Sequence, residues 1–219
     1  MIKMRFRDRT EAGRLLAEQL KAYANRPDVL VLALPRGGVP IGFQVARTLN
    51  APLDICLVRK LGVPGHKELA MGAIAPGGVM VLNEDVVREL RISKESIERV
   101  AAEEQQELQR RNRAYRGDRP APDIQNLTVI LVDDGIATGS TVRAAIATLR
   151  QQQPEWVAVA VPVAPLSTCN QLKAEADDLV CLRALEPFRA ISLWYDDFSQ
   201  TTDDQVRSLL AKQSLVTSN

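Results

Sequence analysis

Val129 to Thr141 reads VILVDDGIATGST, an apolar run that ends in two adjacent carboxylates and then in a loop of small and hydroxyl-bearing residues. The run begins at Leu127 and is continuous to Val132, the pattern of a strand buried on both faces in a parallel sheet. Val142 to Arg150 follows with helical periodicity. A strand-to-helix turn needs one N-cap and a glycine. The second acid, the second glycine and three hydroxyls exceed that need. Ligands of open α/β sheets collect beyond the carboxyl ends of the strands, so Asp133 and Asp134 are expected to face a crevice. Gly135 and Gly139 permit close backbone approach, and Thr138, Ser140 and Thr141 offer donors at a helix start whose dipole favours an anion. A molecule that satisfies both halves carries hydroxyls for the acids and a phosphate for the loop, as a ribose 5-phosphate does. The plainer alternative is an N-capped turn with two solvated aspartates.

Working outward, the same alternation recurs. Val29 to Leu34 (VLVLAL) is a second continuous apolar strand, stopped by Pro35, and Pro40 to Leu49 reads as a helix with proline in its first turn. Leu53 to Val58, Val79 to Leu82 and Trp156 to Val163 read as further strands. Asp8 and Glu11 have capping-box spacing ahead of Ala12, Leu15, Leu16 and Leu20, which predicts an amphipathic first helix. Strands alternating with helices imply an α/β fold. Leu61 to Gly78, rich in glycine and polar residues, reads as a mobile lid. Ser93 to Tyr115 is a charged helix with a thin stripe of Ile97, Val100, Ala101 and Leu108, and Asp118 to Asn126 leads back into the sheet.

Composition narrows the function classes. The chain has 219 residues, 46% hydrophobic and 25% charged, in the range of an ordinary globular domain. Its formal charge of +1 supplies no global field for nucleic acid or an anionic membrane. The arginines 110, 111, 113, 116 and 119 lack interleaved aromatics, so they read as a solvated helix end rather than a nucleic-acid patch. Cys56, Cys169 and Cys181 lack metal-ligand spacing, and neither a leader-like N-terminus nor a spanning segment is evident. The expectation is a cytoplasmic protein with reduced thiols. His66 is the single histidine, which argues against a histidine triad or a two-histidine metal site.

VILVDDGIATGST resembles the PRPP-binding signature of the type I phosphoribosyltransferases. The resemblance implies a doubly wound, mainly parallel sheet with a flexible lid loop and a small C-terminal hood. On that reading residues 1–219 are one domain, with a core of about 1–165 and a hood of about 166–219. It implies that Asp133 and Asp134 hold the ribose 2′- and 3′-hydroxyls and meet Mg²⁺ only through water or the sugar, while Ala137, Thr138, Gly139, Ser140 and Thr141 hold the 5-phosphate. LPRGGVPIG (Leu34 to Gly42) is similar to the family's pyrophosphate loop, with the amides of Gly37 and Gly38 toward the diphosphate, Arg36 beside it and a non-proline cis bond. VRKLGVPGHKELAMGAI (Val58 to Ile74) supplies Arg59 and Lys60 as further pyrophosphate ligands, and Glu68 as a candidate proton carrier. Asp133, Asp134, Arg36 and Lys60 are thus the expected catalytic set. F-x-D-R near the start and P-R-G-G-V-P are similar to a group of uncharacterised bacterial phosphoribosyltransferase-like proteins.

The implied activity is transfer of 5-phosphoribosyl from PRPP to a nitrogenous acceptor with Mg²⁺ and release of pyrophosphate, in nucleotide metabolism, by a homodimer. Ala137 stands where family members acting on 6-oxopurines carry an aspartate, which points away from guanine, hypoxanthine and xanthine. In FRAISLWYDDF, Phe188 to Phe198, Trp194 and Tyr195 either stack on an acceptor or belong to the core. The other functional class open to this sequence is a non-catalytic PRPP- or nucleotide-binding regulator, which keeps the cradle and dispenses with the lid and pyrophosphate groups.

Overall fold

The computed structural model describes residues 5–216, except for the side chains of 67, 68 and 214–216. In chain order the elements begin with α1 (Arg9–Gln19), β1 (Val29–Ala33), α2 (Gly38–Leu49), β2 (Leu53–Ile55), β3 (Arg59–Val63), β4 (His66–Ile74) and β5 (Met80–Leu82). They continue with α3 (Glu84–Glu89), α4 (Lys94–Arg116), β6 (Thr128–Val132), α5 (Ser140–Arg150), β7 (Trp156–Pro165), α6 (Leu166–Leu172), β8 (Asp178–Leu185) and α7 (Asp203–Val216). The chain divides into two compact units, the first of Met1–Cys56, Pro122–Gly139 and Pro154–Asn219, the second of Leu57–Ala121 and Ser140–Gln153.

The first unit is built on a five-stranded sheet in the order β2-β1-β6-β7-β8. Every pairing is parallel. All five residues of β1 and all five of β6 are buried, which is why both read as unbroken apolar runs rather than alternating ones. β8 is only half-buried for most of its length, as an edge strand is. Around the sheet, Phe6, Leu16, Leu20, Ile41, Val45, Leu49, Ile130, Val132, Val163 and Tyr195 form one apolar core, each large side chain contributing about 1.5–3 kcal/mol. α1 starts where expected, with the Asp8 carboxylate accepting from the Glu11 amide at 2.8 Å. It lies against α2 so closely that a Cβ on Gly13 would be 2.9 Å from Gln44 Cβ. Residues 166–219 bring β8 and α7 into this same unit.

The second unit holds a three-stranded antiparallel sheet, β3-β4-β5, with α3, α4 and α5. Here the reading of 61–78 as a loop is corrected: most of it is a β-hairpin. Its buried residues alternate, Leu61 with Val63 and Met71 with Ala73, and Gly65 turns the corner at φ +81°. The expected strand near residue 79 is β5, an antiparallel partner of β4 rather than a member of the parallel sheet. α4 is capped by Ser93, whose hydroxyl accepts from the Ser96 amide, and packs on β3 and β4. Its arginines are not one solvated cluster, since Arg110 and Arg111 both bond Glu107 and Arg116 is buried with its guanidinium on Asn112. Among the described residues no helix is long and apolar enough to cross a membrane.

Candidate functional site

Parallel pairing puts the carboxyl ends of neighbouring strands side by side. Ala33, the last residue of β1, is in register with Val132, the last of β6, and the ladder runs one step further with Leu34 N–H donating to Val132 O at 2.9 Å. The segment Pro35–Gly38 therefore leaves one strand directly beside Asp133 and Asp134 leaving the other. The Pro35–Arg36 peptide bond is cis. The two turns touch through the glycines. A Cβ on Gly38 would lie 2.7 Å from Val132 O and 3.0 Å from Asp133 Cα, and one on Gly37 would lie 1.9 Å from Asp134 Oδ2. No side chain fits at either position without displacing the acids. The glycines are needed for proximity rather than for φ, which at Gly37 is an ordinary −63°.

Beyond the acids the loop is pinned at two successive residues. Ile136 is buried and its amide donates to Val163 O at 2.9 Å, and Thr168 donates its hydroxyl to Ala137 O at 3.1 Å. Ala137 and Thr138 are left exposed, and Gly139 adopts φ +78°, a conformation that L side chains resist.

The acids differ in their surroundings. Burial pushes the Asp133 carboxyl well above the usual carboxylate range, and the charge of Asp134 adds to the rise. The Asp134 amide, which donates to Asp133 Oδ1 at 2.8 Å, works the other way. Asp134 is also raised by burial, but Arg9 opposes this directly: its Nε donates to Asp134 Oδ2 at 2.9 Å and its Nη2 lies 2.8 Å from the same oxygen. The Tyr195 hydroxyl donates to the Asp134 carbonyl at 2.6 Å. Burial, then the Asp134 charge, lift the Tyr195 phenol far above its ordinary value, so it serves as a neutral donor.

The remaining expected residues fall into separate places. Arg36 pairs with Asp203 at 3.6 Å, both side chains more than a third exposed, a contact of small energy. Arg59 and Lys60 open β3 in the second unit, where Arg59 pairs with Glu104. Ser140 and Thr141 open α5, also in the second unit. Within that unit Lys60, Ser140 and Arg143 border one cleft of about 400 Å³. His66 is exposed at the start of β4. The side chain of Glu68 lies outside the described residues. Of the two aromatics, Tyr195 takes the core alternative, 3% exposed and against Phe6 and Phe198 with ring centroids 5.5 and 5.0 Å apart.

A model of the phosphoribosyl transferase domain matches residues 59–186. Two Mycobacterium tuberculosis proteins, each named "Putative phosphoribosyl transferase", are 43% identical over 205 residues, 94% of this chain. The chain belongs to the phosphoribosyl transferase domain family. It covers 46% of the length of those curated relatives, about half. The crystal structure of TT1426 from Thermus thermophilus is 42% identical and has a TM-score of 0.88, over 96% of this chain and 99% of that one. The phosphoribosyl transferase match contains the whole of VILVDDGIATGST but begins at Arg59, so the glycine loop at 34–42 enters the site through the sheet register rather than through the matched stretch.

Arg9 is the residue beside the acids that the sequence does not reveal, and Tyr195 is one whose role differs from its expected one. Arg9 was visible only as a letter of F-x-D-R, and its partner is 125 positions away. Tyr195 was weighed for its ring, whereas the structure uses its hydroxyl.

Proposed function

We propose that this chain is a phosphoribosyltransferase that uses PRPP and Mg²⁺ to transfer the 5-phosphoribosyl group to a nitrogenous acceptor with release of pyrophosphate. One observation carries the reading: the in-register ends of β1 and β6 set a glycine turn with a neighbouring arginine against a carboxylate pair that leads into an exposed loop crest. A sugar bearing a phosphate at one end and a diphosphate at the other fits that sequence of groups. In the reaction the acceptor nitrogen forms a bond to C1 of the ribose and the C1–oxygen bond to the diphosphate breaks. The electron pair leaves with pyrophosphate, and the acceptor's proton is passed to base or water. Positive charge grows on the sugar as the bond breaks.

The chain's own groups answer each demand. Asp133 and Asp134 accept from ribose hydroxyls and set a negative potential beneath the developing cation. Exposed Ala137 and Thr138, with Gly139, hold the 5-phosphate by amides and a hydroxyl. Gly37 and Gly38 admit the diphosphate close to the backbone, and Arg36 supplies positive charge for it. Among the described residues no group of three or more His, Cys, Asp or Glu side chains could hold a metal ion. The acid pair offers hard oxygen donors, so the site fits Mg²⁺ carried mainly by the diphosphate and water and met by Asp133 and Asp134 indirectly. Bound there, Mg²⁺ neutralises leaving-group charge. Ala137 supports an acceptor other than a 6-oxopurine. The cysteines, two of them buried and all three unbridged, are in keeping with a cytoplasmic setting.

The test is incubation with PRPP, Mg²⁺ and a panel of purines, pyrimidines and amines, followed by assay of pyrophosphate. Acceptor-dependent release is the expected result. Tight PRPP binding without release for any acceptor would instead establish the regulator, and absence of binding would end both readings.

A further inference from the structure

Arg9 is the first residue of α1, and its guanidinium is held on every side. Nε and Nη2 converge on Asp134 Oδ2 at 2.9 and 2.8 Å, and Nη1 donates to the carbonyl of Ser199 at 2.7 Å. Its Cζ sits 4.0 Å from the ring centroid of Phe198 and 6.0 Å from that of Tyr195. The two charged side chains are only 12% and 13% exposed, so this is no surface pair. The missing Cβ of Gly37 would fall 1.9 Å from Asp134 Oδ2 and 3.3 Å from Arg9 Nε. The salt bridge thus lies directly on the backbone of the glycine turn. Tyr195 holds the other end of Asp134 by its carbonyl.

We propose that Arg9 is a positioning residue of the phosphoribosyl site: by clamping Asp134 against Gly37 it fixes the glycine turn and the acid pair as one unit. The ligand in this statement rests on the phosphoribosyltransferase reading, whereas the clamp itself does not. Lysine could keep the charge at this position but not the planar fork that reaches Asp134 and Ser199 together while lying over Phe198. Alanine would leave Asp134 buried without its cation, and the carboxylate would then move away from Gly37 to reach water.

The experiment compares the wild-type chain with Arg9→Ala, Arg9→Lys, Asp134→Asn and the Arg9→Ala/Asp134→Asn double variant. The first readout needs no ligand: hydrogen exchange at the Gly38 amide, which donates to Leu34 O at 3.0 Å, with Val159 of β7 as the reference for global unfolding. Arg9→Ala should speed exchange at Gly38 by about tenfold or more while Val159 is unchanged. Arg9→Lys should fall between the two, and Arg9→Ala should add little once Asp134 is Asn. Should Arg9→Ala accelerate Val159 as well, Arg9→Lys decides by the same criterion. Equal exchange at Gly38 in wild type and Arg9→Lys, or additive effects in the double variant, would overturn the clamp. The second readout is calorimetric titration with PRPP and Mg²⁺, in which Arg9→Ala should bind at least about tenfold more weakly. A wild-type chain that fails to bind PRPP would refute the proposed substrate and leave the exchange result to decide on Arg9.

Discussion

The glycine turn at 35–38 and the hairpin at 59–74 were both read from glycine-containing segments that follow a strand, and they turn out to be different kinds of structure. In the first, glycine is used for nearness: neighbouring backbone and carboxylate occupy the space a Cβ would take at Gly37 and Gly38. In the second, Gly65 is used for direction, at φ +81° with nothing within 4 Å of its missing Cβ. The turn is fixed by a parallel ladder and a buried ion pair. The hairpin has its own sheet and rests on a few alternating apolar residues beneath a charged helix. Glycine in a sequence therefore marks either a place where something comes close or a place where the chain bends, and only the neighbours tell which.

Four variants, together with one control, would break or sharpen this contrast. The largest expected effect is in the second unit, where α4 is mostly polar and has few anchors. Leu108, 1% exposed, should cost about 2–5 kcal/mol on change to alanine, as measured by denaturant unfolding; a loss below about 1 kcal/mol would mean that α4 is not integral to its unit. Gly37→Ala should lower stability by about 1–3 kcal/mol through overpacking and reduce turnover on the order of a hundredfold. Gly65→Ala is its control, with turnover retained.

The third variant is Asp133→Asn, which should gain about 0.5–2 kcal/mol at neutral pH while losing PRPP binding, as functional carboxylates often do. The sign follows from the raised carboxyl: the folded chain holds this proton more tightly than the unfolded one, so wild-type stability falls as pH rises above 3.8. The two proteins should converge at lower pH, and thermal unfolding across pH would expose a failure to do so. The smallest effect is expected for Glu107→Gln. Arg110 and Arg111 hold Glu107 down to about 2, so its contribution is present above the usual 4.5 and disappears as pH falls toward 2. Its side chain is 29% exposed, which limits the loss to about 1 kcal/mol, less in high salt.

The parallel sheet was legible because burial on both faces forces unbroken apolar runs, as in VLVLA and TVILV. β8 and α7 escaped notice for opposite reasons. β8 is an edge strand with mixed residues, DLVCLRAL, mostly half-buried. α7 does announce itself by a capping box, since Thr202 Oγ1 accepts from the Gln205 amide and Gln205 Oε1 from the Thr202 amide, but that T-x-x-Q was passed over. The hairpin was hidden by Pro64 and Gly65 and the polar run from His66 to Glu68, although Leu61, Val63, Met71 and Ala73 keep strand alternation. In the candidate site, the acids and the glycines were readable because their chemistry is local to short strings. The clamp was not, because it joins Arg9 to Asp134, Tyr195 and Ser199 across most of the chain, and no local pattern encodes a contact of that range.

The stitching of Phe6 to Tyr195 has an implication for synthesis. Phe6 donates to Trp194 O and accepts from the Asp196 amide, each at 2.8 Å, so the early segment is closed by residues that leave the ribosome well after it. Strands β1, β6 and β7 are available well before then, yet the carbonyl of Asp134 finds its phenol only when residue 195 emerges. The order of synthesis thus separates the strands from the contact that holds the acid turn, and completion of that turn waits on residue 195.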